Sequence, residues 1–452
     1  MTRTAPISRR IVTSSIAPAV VLSTMVAALA APAAQADWTA PQTLVRPPLF
    51  DAFRIDGAGN AKGFEAFAWF HTTHKMRHAA PGRGGYLRYV RARKRLADGR
   101  LGSIQTVSRK DVIVDGPLVD VDRGGTTTVA WQEFRRGRRR PVVMAATARK
   151  HARFGAPVAL GRGSANVDVG FAFVGSHLPT PLAVAPDGSA VLAWNDGRRI
   201  VAVRRPAGRC ASRHRRACFG SVRALSRGSR QPNGPAAVIG TNGTASVTWS
   251  DGAVRIASAR RGRSFGAPQR VSPTGQPATR PALAVGGDGD AVIAWRRAPE
   301  DTGIETGFGP IMAAARDAQG QISAAQTVDP GDGDAVDVLM NAQGEAILRW
   351  RRRGQFDLDV VAAARPPGGS FGTPVLLSPT RGDGELAYRQ LAVDDRGRSI
   401  VGVGQTGFVR PAGGSFGPRM AIPGSRQLIS AGGRFTTLWI SGAAVKLSDL
   451  AS

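Results

Sequence analysis

A glycine stands six residues before one recurring position eight times along this chain, and a tryptophan fills that position in seven of the eight copies. The pairs are Gly63/Trp69, Gly125/Trp131, Gly188/Trp194, Gly243/Trp249, Gly289/Trp295, Gly344/Trp350, Gly397/Val403 and Gly433/Trp439. Of the eight tryptophans, only Trp38 lies outside the series. Self-similarity at a period of tens of residues is typical of a repeat architecture, so this series constrains the fold more than any other feature.

Short apolar runs separated by turn residues surround each pair, as expected for β-strands. The fullest copy reads FGAPQRVS (265–272), RPALAVGGDG (280–289), DAVIAW (290–295) and PIMAAAR (310–316). In the strand that ends at Trp295, Ala291 and Ile293 share a face with the tryptophan, whereas Val292 and Ala294 form the other face. Because both faces are apolar, the sequence predicts strands that lie inside stacked sheets.

The repeat glycines are predicted to lie in β-hairpin turns. Three of them follow an Asp or Asn, in Asp187-Gly188, Asn242-Gly243 and Asp288-Gly289. Such dipeptides between apolar runs predict two-residue type I′ turns. Glycine suits them because it adopts a positive φ without steric cost.

Four strands per unit, repeated eight times, predict an all-β fold: a β-propeller of eight four-stranded blades, or of seven if the first or last copy is degenerate. A β-sandwich array or a β-solenoid is the alternative, although solenoid rungs are usually shorter than these units. The tryptophans are interpreted as packing anchors between blades, and each buried indole N–H should have a hydrogen-bond partner. The predicted anchors are Trp69, Trp131, Trp194, Trp249, Trp295, Trp350 and Trp439.

A second repeated segment, FGxP, predicts how the chain closes on itself. Copies begin at Phe154, Phe265 and Phe371, copies that keep FG but not the spaced proline begin at Phe219 and Phe416, and WTAPQTLV (38–45) is an N-terminal version with Trp38 in place of the phenylalanine. If these segments form the outer strands, the last blade has three strands of its own. We therefore expect residues 38–45 to pair beside the strand near 443–449 and remove a free sheet edge.

The first 36 residues are predicted to be a secretory signal peptide. Arg3, Arg9 and Arg10 precede an apolar stretch from Ile11 to Ala31, and Ala34-Gln35-Ala36 fits a cleavage site. An uncleaved anchor is the alternative, and the Arg pair leaves the choice between the general and twin-arginine export routes open. The predicted organisation is a signal peptide over 1–36 and a single β-propeller domain over 37–452, secreted and monomeric.

Cys210 and Cys218 are the two cysteines, and they lie close together in RCASRHRRAC. In an exported protein such a pair is expected to form a disulfide. Two thiolates alone do not complete a metal site, which needs further ligands.

The chain is strongly basic, with 61 Lys and Arg against 32 Asp and Glu. One interpretation is a compositional bias towards arginine; the other is attraction to a polyanion, such as an acidic polysaccharide or an acidic protein. Clustering favours the second, because one loop carries Arg135, Arg136, Arg138, Arg139 and Arg140, and three further arginines, 351–353, follow Trp350. The five loop residues are the predicted binding site.

No motif in the sequence predicts a metal or a cofactor. HTTHKMRH (71–78) holds three histidines without a helix to align them, and DPGDGDAVD (329–337) is acidic without the spacing of a calcium-binding EF-hand loop. The Gly-rich segments do not lie between a strand and a helix, where phosphate cradles occur.

The repeat resembles those of secreted bacterial β-propellers in the broad sialidase-like and WD40-like group. The resemblance rests on the Asp-Gly hairpin, the strand-end tryptophan and the FG segment. Asp122-Arg123-Gly124 and Asp395-Arg396-Gly397 approach a sialidase Asp-box but lack its leading hydroxyl residue and its aromatic. We therefore expect a secreted, non-enzymatic binding propeller. The alternative is a sialidase-like or other glycan-cleaving hydrolase, whose catalytic residues the sequence does not identify.

Overall fold

The computed structural model describes residues 38–46, 55–73, 87–109, 113–134, 140–164, 181–208, 219–227, 232–298, 307–354, 358–379, 390–424, 427–441 and 444–450. Every regular element within these ranges is a β-strand. None of these residues belongs to a helix long and apolar enough to cross a membrane.

Five antiparallel sheets consist of four consecutive strands each. Sheet 1 has β2 (Ile55–Gly59), β3 (Glu65–Thr73), β4 (Leu87–Arg95) and β5 (Gln105–Thr106). Sheet 2 has β6 (Ile113–Val121), β7 (Thr127–Phe134), β8 (Val142–Ala148) and β9 (Val158–Arg162). Sheet 3 has β10 (Leu182–Val184), β11 (Ala190–Asn195), β12 (Ile200–Arg205) and β13 (Arg223–Ala224). Sheet 4 has β14 (Asn233–Ile239), β15 (Ala245–Ser250), β16 (Val254–Ala259) and β17 (Gln269–Arg270). Sheet 6 has β25 (Leu391–Val393), β26 (Ser399–Val403), β27 (Thr406–Arg410) and β28 (Arg419–Ala421).

Sheet 5 has seven strands because one long strand belongs to two repeats. Its strands are β18 (Ala278–Val285), β19 (Ala291–Arg297), β20 (Gly309–Arg316), β21 (Gln326–Met340), β22 (Ala346–Arg353), β23 (Leu358–Arg365) and β24 (Val375–Pro379). The beginning of β21 pairs with β20, and its end pairs with β22. We call the part up to β20 the first half of sheet 5 and the part from β22 the second half.

Sheet 7 combines the two ends of the described chain. It has β29 (Gln427–Ala431), β30 (Arg434–Ser441), β31 (Ala444–Leu450) and the N-terminal β1 (Gln42–Val45). β1 runs antiparallel to β31, with Gln42 opposite Leu447 and Thr43 opposite Lys446.

The first strands of the repeats pack against one another in sequence order. β2 contacts β6, and contacts follow between β6 and β10, β10 and β14, β14 and β18, β18 and β21, β21 and β25, and β25 and β29. β29 in turn contacts β2. We call the end of each sheet that carries the repeat glycine the turn end, and the opposite end, where second strands finish, the loop end.

The FGxP segments lead into the outermost strands. The glycine N–H groups of five of them donate to third-strand carbonyls at 2.8–3.0 Å, from Gly155, Gly220, Gly266, Gly372 and Gly417. Thr39 makes the same bond to Asp449 at 2.8 Å. The N-terminal segment is therefore equivalent to the FGxP copies in its hydrogen bonding.

Seven of the eight hairpin turns differ from the predicted type I′ geometry. All eight repeat glycines have φ between 75° and 92°. In the turn at Gly188 the glycine N–H donates to Ala185 (2.9 Å) and the Ala185 N–H to Ser189 (2.8 Å), so the turn is a three-residue loop that ends in a left-handed glycine. The type I′ prediction was therefore wrong for the Asp-Gly and Asn-Gly turns. In the eighth turn both Gly432 and Gly433 have a positive φ, as a type I′ turn requires.

The repeat tryptophans lie between sheets. Trp69, Trp131, Trp194, Trp249, Trp295 and Trp350 are at most 1% exposed, whereas Trp439 is half-buried. Each buried indole shares its apolar cluster with the preceding sheet, as Trp194 does with Val143 and Ala145. Trp194 donates to the Arg162 carbonyl (2.7 Å) and Trp350 to Asp329 Oδ2 (2.8 Å). The Nε1 atoms of Trp69, Trp131 and Trp249 have no partner among the described residues.

Candidate functional site

The arginine loop predicted as the binding site is described only at its last residue. Arg135, Arg136, Arg138 and Arg139 lie outside the described residues, as do Cys210 and Cys218 and the signal segment. Arg140 is exposed at the loop end of sheet 2, and its Nη1 donates to the Asp196 carbonyl of sheet 3 at 3.4 Å.

A group of arginines, of which the sequence singled out only Arg351, converges on one carboxylate in sheet 5. Arg280 Nη1 lies 3.0 and 2.9 Å from the two carboxylate oxygens of Asp334. Arg351 Nη2 lies 3.1 Å from Oδ2, and Arg296 Nη1 lies 3.5 Å from Oδ1. The three arginines come from β18, β19 and β22, so the cluster joins the two halves of the sheet at its loop end.

The register of sheet 5 places a second arginine–aspartate pair beside the first. Asp334 lies opposite Arg351, and Asp337 lies opposite Arg349. Directly opposed unlike charges stabilise antiparallel strands. We call the four arginines Arg280, Arg296, Arg349 and Arg351, together with Asp334 and Asp337, the sheet 5 cluster.

Arg349 and Arg296 are the two most deeply buried cations of this cluster, each at 1% exposure, and Arg349 has few polar contacts. Its one hydrogen bond within the described chain runs from Nη2 to Gln390 Oε1 at 3.5 Å, and its buried Nε has no partner there. Burial lowers the pKa of Arg349 to about 10, and burial also lowers the pKa of Arg351. Both groups stay charged at neutral pH, so they place fixed positive charge in a region of low polarity.

The acidic segment 329–337 is engaged with arginines. Asp329 accepts a hydrogen bond from the Trp350 indole N–H and lies 3.8 Å from Arg352. Asp332 lies 3.8 Å from Arg353. Within the described part of the chain, no three His, Cys, Asp or Glu side chains form a group that could hold a metal ion. His71 packs against Tyr89 with 4.8 Å between ring centres, and His74 and His78 lie outside the described residues.

Arginines at the turn end have a different role, because they join neighbouring sheets. Arg95, Arg205, Arg365 and Arg410 each end a third strand and are 4–7% exposed. Arg410 Nη1 lies 2.6 Å from Glu345, across the boundary between sheets 5 and 6. A share of the high arginine content therefore belongs to the core between sheets.

Comparing the repeats column by column would have found part of the site. The residue before the repeat tryptophan is Ala68, Ala130, Ala193 and Ala294 in four copies, but Arg349 in the sixth. The contacts of Arg280 and Arg296 with Asp334 span 54 and 38 residues, and no local spacing indicates them.

No family model and no curated protein matches the chain. Among solved structures, the BP39L lectin from Burkholderia pseudomallei is 13% identical, with a TM-score of 0.49, over 82% of this chain and 98% of the lectin. The polysaccharide lyase Uly1 is 12% identical, with a TM-score of 0.46, over 76% of this chain and 92% of its own. A PL25 ulvan lyase is 11% identical, with a TM-score of 0.45, over 87% of this chain and 96% of the lyase. The resemblance to sialidase-like and WD40-like repeats stays a prediction.

Proposed function

We propose that this protein is a secreted eight-bladed β-propeller that binds an anionic glycan at the loop end of its sheets. The first strands contact one another in a series that returns from β29 to β2. Counting sheet 5 as two blades makes eight, and β1 supplies the outer strand of the last blade. Such an arrangement leaves no long free edge and presents eight sets of loops around one axis.

The sheet 5 cluster is the observation that carries the binding proposal. Four guanidinium groups face two carboxylates there, so the cluster keeps an excess of positive charge. Arg353 follows Arg351 on the same face of β22 and is 61% exposed, and Arg352 contacts Asp329 on the other face at 33% side-chain exposure. Guanidinium groups match carboxylate and sulfate oxygens by paired hydrogen bonds, which makes them suited to acidic saccharides.

The same geometry favours binding over cleavage. Most retaining or inverting glycosidases need one carboxyl group to give a proton and a second to act as nucleophile or base, and sialidases use a tyrosine as the nucleophile in place of the second. Asp334 accepts hydrogen bonds from arginines and Asp329 from Trp350, and both contact guanidinium groups, so the carboxylates serve to hold cations in place. Secretion is proposed from the segment 1–36, and it would bring the protein into contact with cell-surface or extracellular polymers.

A charge-matched pair of variants tests the proposal. The site variant changes Arg351, Arg352 and Arg353 to Gln; the control variant changes Arg149, Lys150 and Arg153 to Gln at the turn end of sheet 2. Both lose three positive charges. Binding to immobilised acidic polysaccharide is measured from about 0.05 to 0.2 M salt, with circular dichroism as the folding check.

We expect parent affinity to fall steeply with salt, because exposed charges are screened over about 8–10 Å. The site variant should lose about tenfold or more in affinity, and the control about twofold or less. Equal losses would mean that net charge alone attracts the polymer. Release of new sugar ends would show cleavage and contradict the binding assignment. Changing Arg136, Arg138, Arg139 and Arg140 to Ser measures the share of the sheet 2 loop in the same assay.

A further inference from the structure

Four first strands carry the same β-bulge near their beginning. The pairing shifts between Asp115 and Leu118, Asn233 and Ala236, Thr279 and Ala282, and Asp334 and Asp337. In each case the residue before the bulge lies opposite the residue that follows the repeat tryptophan. The four bulges are therefore equivalent positions of the repeat.

The first residue of each bulge has a left-handed backbone conformation. In sheets 2 and 4 it is Gly116 (φ 56°) and Gly234 (φ 59°), but in sheet 5 it is Arg280 (φ 51°) and Ala335 (φ 57°). A non-glycine residue in this region is strained, and such strain concentrates at functional sites. Arg280 is thus a long cationic side chain at a position where glycine is the unstrained choice.

Arg280 also lies on the open side of the sheet 5 cluster. Its side chain is 27% exposed and that of Arg351 is 16% exposed, whereas that of Arg296 is 1% exposed. Within the described chain, Arg351 uses one N–H group, on Nη2, to contact Asp334. The cluster therefore has a solvent side formed by two guanidinium groups and a buried side formed by Arg296 and Arg349.

We propose that Arg280 and Arg351 form a subsite for the carboxylate of a uronate-type sugar in an acidic polysaccharide. Asp334 contacts both guanidinium groups, so one planar carboxylate already bridges Arg280 and Arg351 on the buried side of the subsite. Arg296 and Arg349 supply fixed positive charge behind the subsite, where low polarity strengthens its effect. This inference rests on the proposed function and names its ligand class.

The strain at Arg280 permits a test in which the variant is not expected to unfold. Arg280→Gly installs the residue of the equivalent bulges and leaves Asp334 paired with Arg296 and Arg351. Ala335→Gly is the matched control, because it relieves the same backbone conformation one repeat later without removing a charge. Binding of each variant to polygalacturonate and to dextran sulfate is measured beside the melting temperature.

Arg280→Gly should melt at or above the parent temperature and lose about tenfold in affinity for polygalacturonate, with a smaller loss for dextran sulfate. Ala335→Gly should keep the parent affinity for both polymers. Unchanged binding by Arg280→Gly would overturn the subsite, and so would equal losses in the two glycine variants. A parent that binds only dextran sulfate would overturn the carboxylate assignment but keep polyanion binding, whereas a parent that binds neither would remove the proposed function itself.

Discussion

At the scale of single residues, the arginines lie in two kinds of surroundings, exposed and buried. Arg149 and Arg153 are exposed at the turn end, whereas Arg349 and Arg296 are buried beneath the loop end. A buried guanidinium needs hydrogen bonds or opposite charges to offset its lost hydration. Net charge therefore predicts solubility and general attraction to polyanions, while the position of each arginine decides whether it can recognise a ligand.

Replacing Trp295 by Ala should lower the free energy of unfolding by about 3–5 kcal/mol, as for other large buried aromatics. Trp295 is 1% exposed and packs against Val254 and Ile256 of sheet 4. Chemical denaturation measures the change. Parent-like stability combined with lost glycan binding would mean that the tryptophan contacts ligand and not the core.

Asp290 should make the protein less stable as pH rises. Burial, followed by the neighbouring Asp288, raises the pKa of Asp290 to about 6, and its Oδ1 is buried without a partner among the described residues. Since an unfolded Asp titrates near 4, the folded state holds this proton more tightly. The contribution of Asp290 to stability is full below about pH 4 and is lost as pH rises to about 6.

Asp290→Asn removes this dependence, and urea denaturation at several pH values measures it. The gain in stability relative to the parent should be larger at pH 7 than at pH 4.5. Asp288→Asn is a partial control, because removing the like charge lowers the pKa of Asp290 without removing the group. A stability difference between parent and Asp290→Asn that does not change with pH would contradict the assignment.

At the scale of elements, strands and turns follow from local sequence, but the ion clusters do not. Gly188 and Trp194 lie within one hairpin, so their spacing alone predicts the turn and the buried strand. Arg95 reaches Asp449 only because the last strand lies beside sheet 1, a contact across 354 residues. The acidic segment 329–337 likewise shows no local spacing that indicates the arginines that contact its carboxylates.

The Arg95 cluster joins sheets 1 and 7, and its removal should be costly. Arg95 contacts Glu65 at 2.9 Å and Asp449 at 2.6 Å, and Thr436 donates to Asp449 at 2.7 Å. Burial opposes ionisation of Asp449, but the hydrogen bonds from Arg95 and Thr436 outweigh it and lower its pKa. Its stabilising effect is therefore present above about pH 4 and is lost as pH falls further.

Asp449→Asn should lower stability by about 3 kcal/mol at pH 7, as expected when one partner of a buried pair is removed. The difference in stability between the parent and Asp449→Asn should become smaller below about pH 4, where the parent carboxylate also takes up a proton. Asp98→Asn is the control. Asp98 pairs with Arg100 on the surface, where the side chains of Asp98 and Arg100 are 50% and 78% exposed, so this substitution should not change the melting temperature. A deficit that stays constant down to pH 2 would show that Asp449 acts through packing alone.

At the scale of the whole molecule, the sequence predicts the order of repeats and the place where the termini meet. The eight repeat glycines and the phase of the FGxP segments predict that the last repeat takes its fourth strand from the N-terminal segment. β1 occupies that place beside β31, with Leu44 fully buried and Val45 at 5% exposure. The merging of two repeats through β21 was not predictable, because it depends on Gly333 pairing with both Gly309 of β20 and Arg352 of β22, which are distant in sequence.

Removing residues 37–46 from the mature protein should lower the melting temperature by about 5 °C or more and promote aggregation. The truncation takes Leu44 and Val45 from the core of sheet 7 and exposes the N–H and C=O groups of β31 as an unpaired edge. Removal of Ala451 and Ser452, which lie outside the described residues, is the control and should leave melting unchanged. A synthetic peptide of residues 37–46 should restore part of the lost stability by pairing with the vacant edge. A truncated protein that melts like the mature chain, or one that the peptide does not affect, would mean that the N-terminal strand does not hold the last sheet against the first.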